Sequence, residues 1–187
     1  MKKVLFSVIL GFVSMALFSQ NNNQVKYRKA ITLDLFGGGI LANLSFDMRL
    51  KKGVQDGLGF KAGIGGLSLV NTTVVDENGN RGLGDLGIVT LPIEVNYLIG
   101  KRRSAFETGV GLLSTYGTAS GNIANNSTSA TESFSYKGFS TGTVFLKMGY
   151  RFQPLNNGLT FNIAYTPLIN SKGFQHWIGL GVGFSFK

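Results

Sequence analysis

Residues 86–100 read LGIVTLPIEVNYLIG, residues 101–104 read KRRS, and residues 105–116 read AFETGVGLLSTY. In the first run Val89, Leu91, Ile93, Val95, Tyr97 and Ile99 share one parity, while Thr90, Pro92, Glu94 and Asn96 share the other. Successive side chains of a strand point to opposite faces, so one face is apolar and the other polar. After the basic turn, Phe106, Thr108, Val110 and Leu112 alternate with Glu107, Gly109 and Gly111, which keeps a carboxylate on the polar side. Two such runs of about a dozen residues joined by a tight turn form the pattern of a transmembrane β-hairpin.

Working outward, residues 1–19 carry Lys2 and Lys3, then an apolar run from Val4 to Phe18, before the polar QNNNQ segment. This is the anatomy of a cleavable signal peptide, with residues 20–29 as a polar periplasmic lead-in. Losing Lys2 and Lys3 with the leader takes the formal net charge from +9 to +7. The remaining basic residues fall mainly in turns, Lys51 and Lys52 or Lys101, Arg102 and Arg103, and the export signal argues against a nucleic-acid partner. There is no cysteine, so neither disulfides nor a lipid-anchored N-terminus is available. After the leader no stretch offers the 18 apolar residues of a helical span, and any further crossing of a membrane must be made by strands.

From residue 30 the chain divides into eight runs of period-two character, at about 30–37, 42–51, 57–70, 86–99, 105–116, 138–152, 159–168 and 177–186. The connections KKGVQD, GKRRS and QPLNNG are short, whereas 71–85 and 117–137 are long and polar. Short turns on one side and long loops on the other predict an all-β fold, an eight-stranded antiparallel up-and-down transmembrane β-barrel over residues 30–187 in the cell outer membrane. Opposite the apolar parity lie Asp34, Asp47, Glu94 and Glu107 together with Arg49, Lys61, Lys147 and Arg151. Lys or Arg facing lipid at mid-membrane costs about 2–4 kcal/mol, so these eight are predicted to face inward as a lumen charge network. Glycines 59, 63, 65, 109, 111, 149, 179, 181 and 183 share that side and are predicted to make room for long partners.

The leader, the LPIEVNYLIG segment with its turn and FETGVGL, and the terminal WIGLGVGFSFK resemble the small outer-membrane β-barrel proteins common in Bacteroidetes, with an architecture similar to OmpX, the OmpA barrel and OmpW. The resemblance covers nearly the whole mature chain. It implies assembly by the barrel-assembly machinery and contact with outer-membrane lipids and lipopolysaccharide. Barrels of this kind usually end in an aromatic residue; here Phe186 is penultimate and Lys187 is last.

The motifs that could carry chemistry have simpler readings. Gly82, Gly84 and Gly87 match a dinucleotide fingerprint by letters, but a strand pattern follows where a helix is required. Asp76, Asn78 and Asn80 begin like a calcium loop, yet Arg81 and Gly87 stand where the loop needs glycine and glutamate, and Asn78-Gly79 reads as a hairpin turn. His176 is the only histidine, and no nucleophile with a legible partner accompanies it. Trp177 and Tyr116 are predicted to be interfacial aromatics. Pro92, inside the best strand, predicts a bulge or local bend. No catalytic residue, metal or cofactor is implied. The leading functional reading is a structural or surface-interaction barrel acting through its extracellular loops, with an envelope or host-surface partner. The alternatives are a narrow channel or transporter for small or hydrophobic solutes, porin-like or OmpW-like, and a rim-located lipid-modifying enzyme.

Overall fold

The computed structural model describes residues 27–75, 79–100, 102–124 and 131–187. The expected signal peptide, most of the lead-in and residues Asp76, Glu77 and Asn78 of the weak calcium-like motif lie outside them. The described residues form one antiparallel sheet of ten strands and no helix. In chain order these are β1 (Tyr27–Leu35), β2 (Ala42–Lys52), β3 (Gly57–Val75), β4 (Arg81–Ile99), β5 (Ser104–Ala124), β6 (Thr131–Phe152), β7 (Gly158–Tyr165), β8 (Leu168–Asn170), β9 (Gly173–Gln175) and β10 (Ile178–Phe186). Eight of them close a ring. β1 to β6 pair in succession, β6 pairs with β7, β7 with β10, and β10 returns to β1 from Lys29↔Phe186 to Leu35↔Leu180. Closure leaves no unpaired edge in the ring, so backbone pairing needs no help from disulfides.

β8 and β9 are a small hairpin that continues β7 and β10 beyond a break. Pro167 has no N–H to donate, and the ladder is carried across by Thr166 N donating to Trp177 O at 2.8 Å and Leu146 N donating to Pro167 O at 3.1 Å. The segment 170–176, NSKGFQH, which separates the last two sequence runs, is therefore largely hairpin.

The alternation of the sequence becomes alternation of burial. In β2 buried residues alternate with exposed or half-buried ones from Asn43 to Leu50, and in β4 buried alternate with exposed ones from Thr90 to Ile99. One apolar side chain from each ring strand, Leu33, Phe46, Phe60, Ile93, Val110, Met148, Phe161 and Val182, faces outward and is 39–53 % exposed. Such a continuous apolar belt is unlike the surface of a soluble monomer.

Two expectations are corrected. Residues 71–85 and 117–137 are not simply long loops. β3 and β4 pair as far as Val75↔Arg81, and β5 and β6 as far as Ala124↔Thr131. β3 to β6 thus rise beyond the ring as a four-stranded extension, in which both faces are largely exposed. Backbone pairing with neighbouring hairpins sustains these strands without a buried face, so they lack the alternation by which strands are recognised. Second, Pro92 produces no register shift. Ala62↔Ile93 and Gly65↔Thr90 keep one register, with two rungs unpaired between them. Register shifts lie elsewhere, between Leu69 and Thr72 in the β3–β4 pair and between Leu113 and Thr115 in the β5–β6 pair, and Leu113 is the partner of Pro92 on β5.

Candidate functional site: a filled lumen

The interior of the ring is stacked in three layers. At the short-turn end Arg28, on the same parity of β1 as Asp34, turns inward and is buried. Its guanidinium donates to Gln55 Oε1 at 2.8 Å, to Leu155 O at 3.1 Å, to Asn156 O at 2.7 Å and to Pro154 O. Gln55 in turn donates to Arg102 O, and Gln153 Nε2 donates to Gln55 O at 3.3 Å. A planar group with five donors suits this fan of turn carbonyls. One cation therefore ties together the three short turns. Arg28 falls in the segment whose sequence reads as lead-in; its parity with Asp34 is the signal that marks it as inward.

The middle layer holds the charges. All eight of the predicted lumen residues are less than 10 % exposed, with Glu107 at 0 % and Asp47 at 1 %. Six form one chain. Arg49 Nη2 meets Asp47 Oδ1 at 2.6 Å, the other oxygen of Asp47 takes Arg151, Arg151 reaches Glu107 Oε1 at 3.3 Å, and Lys147 Nζ lies 3.1 Å from Glu107 Oε1 and 3.4 Å from Glu94 Oε1. Asp34 and Lys61 form a separate pair at 2.7 Å. Asn96 joins the chain, accepting from Arg49 and donating to Glu107 Oε1 at 3.4 Å.

Register alone does not give these partners. Asp47, Lys61 and Glu94 are direct cross-strand neighbours on β2, β3 and β4, yet Lys61 pairs with Asp34 of β1 and Asp47 with Arg151 of β6. In a narrow ring a long side chain reaches an acceptor across the lumen as readily as one beside it. Glycine opens those routes. A Cβ on Gly59 would lie 2.1 Å from Arg49 Cζ, and one on Gly111 would lie 2.2 Å from Phe145 Cζ.

The third layer, toward the tall hairpins, is apolar. Leu113, Phe145 and Leu168 form a buried cluster, with Ile40 and Trp177 packed against it. The 36–41 connection folds inward over the mouth: Thr90 Oγ1 donates to Gly39 O at 3.1 Å, and Trp177 Nε1 donates to Phe36 O at 2.8 Å. Phe36 and Ile40 adopt φ of 60° and 71°, a left-handed backbone uncommon for bulky residues. Trp177 therefore braces the mouth, while Tyr116 is 43 % exposed on the outward face of β5. His176 stands outside the lumen, its Nδ1 2.7 Å from Tyr165 Oη and its ring edge-on to Phe174. The glycines of the dinucleotide-like motif lie within β4 itself. Among the described residues no cluster of acidic, histidine or cysteine side chains could hold a metal ion.

No protein-family model matches the sequence, and no curated protein is significantly similar to it. Solved structures similar in fold include the N-terminal β-barrel domain of Pseudomonas aeruginosa OprF, at 18 % identity over 87 % of this chain and 98 % of that one, with a TM-score of 0.42. They also include Ail, the attachment invasion locus protein of Yersinia pestis, at 14 % identity over 86 % of this chain and 99 % of that one, with a TM-score of 0.47. Ail in complex with the heparin analogue sucrose octasulfate aligns at 12 % identity over 86 % and 99 %, with a TM-score of 0.45.

Proposed function

We propose that this chain is an eight-stranded outer-membrane β-barrel with a structural or surface-interaction role, closed to solutes by its own side chains. In this reading residues 1–19 are a signal peptide removed on export, a short polar segment leads into the barrel in place of the expected 20–29, and the barrel begins with β1 at Tyr27 and runs on to residue 187. The observation that carries it is the sidedness of charge. The eight ionisable groups of the charged layer and Arg28 below them lie inside a closed ring whose outer face is an apolar belt, the arrangement that lipid outside and a small filled lumen inside would select. The inverse arrangement, apolar within and charged without, would belong to a soluble barrel.

The short-turn end then faces the periplasm and the four-stranded extension faces outward, where it meets lipopolysaccharide and an envelope or host-surface partner. The barrel-assembly machinery inserts the chain. The direct test is fractionation with the outer membrane together with a change of gel mobility on boiling; recovery in the soluble periplasm without a heat-dependent shift rejects the reading. A tag inserted after Asn126 is labelled on intact cells if the extension faces outward, and only in broken cells if the topology is inverted. In planar bilayers the protein gives little or no steady conductance, and large stable current steps would move the assignment to a channel.

A further inference from the structure

We infer that the upper lumen contains a site for about two water molecules, which joins the Asp34–Lys61 pair to the six-membered ionic chain. Between the charged layer and the inward-folded 36–41 connection lies a cavity of about 30 Å³, and Asp34, Lys61, Glu94, Lys147 and Thr166 all line it. A water needs about 10–15 Å³ of such space and two to four polar partners. Both conditions hold here.

Two groups in the wall want a partner. Glu94 Oε1 and Thr166 Oγ1 are buried atoms with no hydrogen-bond partner in the protein, on residues 5 % and 2 % exposed. Lys147 is 3.4 Å from that Glu94 oxygen, near enough for an ion pair but not placed for a hydrogen bond, and it already donates to Glu107 Oε1 at 3.1 Å. Glu94 is thus the carboxylate of the chain least supplied with donors, and a buried oxygen without a hydrogen bond is costly. The backbone of Thr166 is held at the Pro167 break by the bond from Thr166 N to Trp177 O, which keeps this residue in the cavity wall.

Water fits the site better than a bound ion. The lining carries two carboxylates, Asp34 and Glu94, and two ammonium groups, Lys61 and Lys147, so the charge of the wall balances and neither a cation nor an anion gains from entering. A water can donate to Glu94 Oε1 and exchange a hydrogen bond with Thr166 Oγ1, while a second reaches the Asp34–Lys61 pair. Such bridges are nearly as favourable as direct hydrogen bonds.

The sign of one substitution separates a wet site from a dry one. Thr166→Val keeps the shape of the side chain and removes its hydroxyl. If water occupies the cavity, the variant loses a water partner and the midpoint of thermal unfolding, read by the heat-dependent gel shift, falls by about 2–4 °C. If the cavity is dry, the variant removes an unsatisfied hydroxyl, and an unchanged or raised midpoint overturns the inference. A high-resolution crystal structure of the wild-type protein in detergent is the second measurement, valid even where the variant folds poorly. Solvent density within about 3.2 Å of Glu94 Oε1 and Thr166 Oγ1 supports the site. An empty cavity, Lys61 or Lys147 collapsed onto Glu94, or density that changes with the salt used, overturns it.

Discussion

The same four strands behave differently in their two halves. Where β3, β4, β5 and β6 belong to the ring, residues alternate between buried and exposed and the inner side chains form ion pairs; where they rise beyond it, both faces are largely exposed. The backbone ladder runs through both, interrupted only locally, at two rungs beside Pro92 and at the shifts Leu69/Thr72 and Leu113/Thr115. Hydrogen bonding along the strands is therefore not what distinguishes the halves. The ring has an inside, where a charge must find a partner and a methyl group must find space, and the extension has none.

The largest effect should come from removing a shared partner in the charged layer. Arg151 serves both Asp47 and Glu107 at 3 % exposure, so Arg151→Ala should cost about 3–5 kcal/mol by leaving buried carboxylates uncompensated. Urea unfolding followed by the mobility shift measures it, and a loss under about 1 kcal/mol would mean that water penetrates the layer freely.

The outward belt gives the next test. Ile93 sits midway along the ring portion of β4 and is 50 % exposed. Ile93→Arg should destabilise the protein in lipid vesicles by about 2–4 kcal/mol, whereas Leu83→Arg, on the extension of the same strand, should be nearly neutral. Equal effects at the two positions would erase the proposed membrane boundary.

A third pair probes space on β5. A Cβ on Gly111 would crowd Phe145 Cζ at 2.2 Å and Ile93 O at 2.6 Å, while one on Gly117 would meet nothing within 4 Å. Gly111→Ala should cost about 1–3 kcal/mol through overpacking. Gly117→Ala should stay within about 0.5 kcal/mol of wild type, as surface changes usually do. The smallest effect is expected when residues 125–130 are replaced by Asn-Gly, with the folded fraction and urea midpoint unchanged within about 0.5 kcal/mol. A collapse of folding would show that the extension supports the ring.

Much of the ring was legible because a two-sided environment writes itself into parity. Val89 to Ile99 on one parity and Glu94 on the other separate the faces without any knowledge of partners. The same parity placed Arg49 and Arg151 inside, and both are buried there. Arg28 was missed because it precedes the first clear apolar run, although it shares the parity of Asp34.

By itself the sequence determined the antiparallel strands, the short turns and the side of the sheet on which each charge stands, because these follow from alternation and turn chemistry within a few residues. Tertiary structure alone decided which acid meets which base, why Asp34 takes Lys61 while Asp47 takes Arg151, how Arg28 gathers the turn carbonyls, and that 66–75 and 131–140 remain strands above the ring. Those choices depend on distances across a closed lumen and on pairing with neighbouring hairpins, and both exist only once residues far apart in the chain have been brought together.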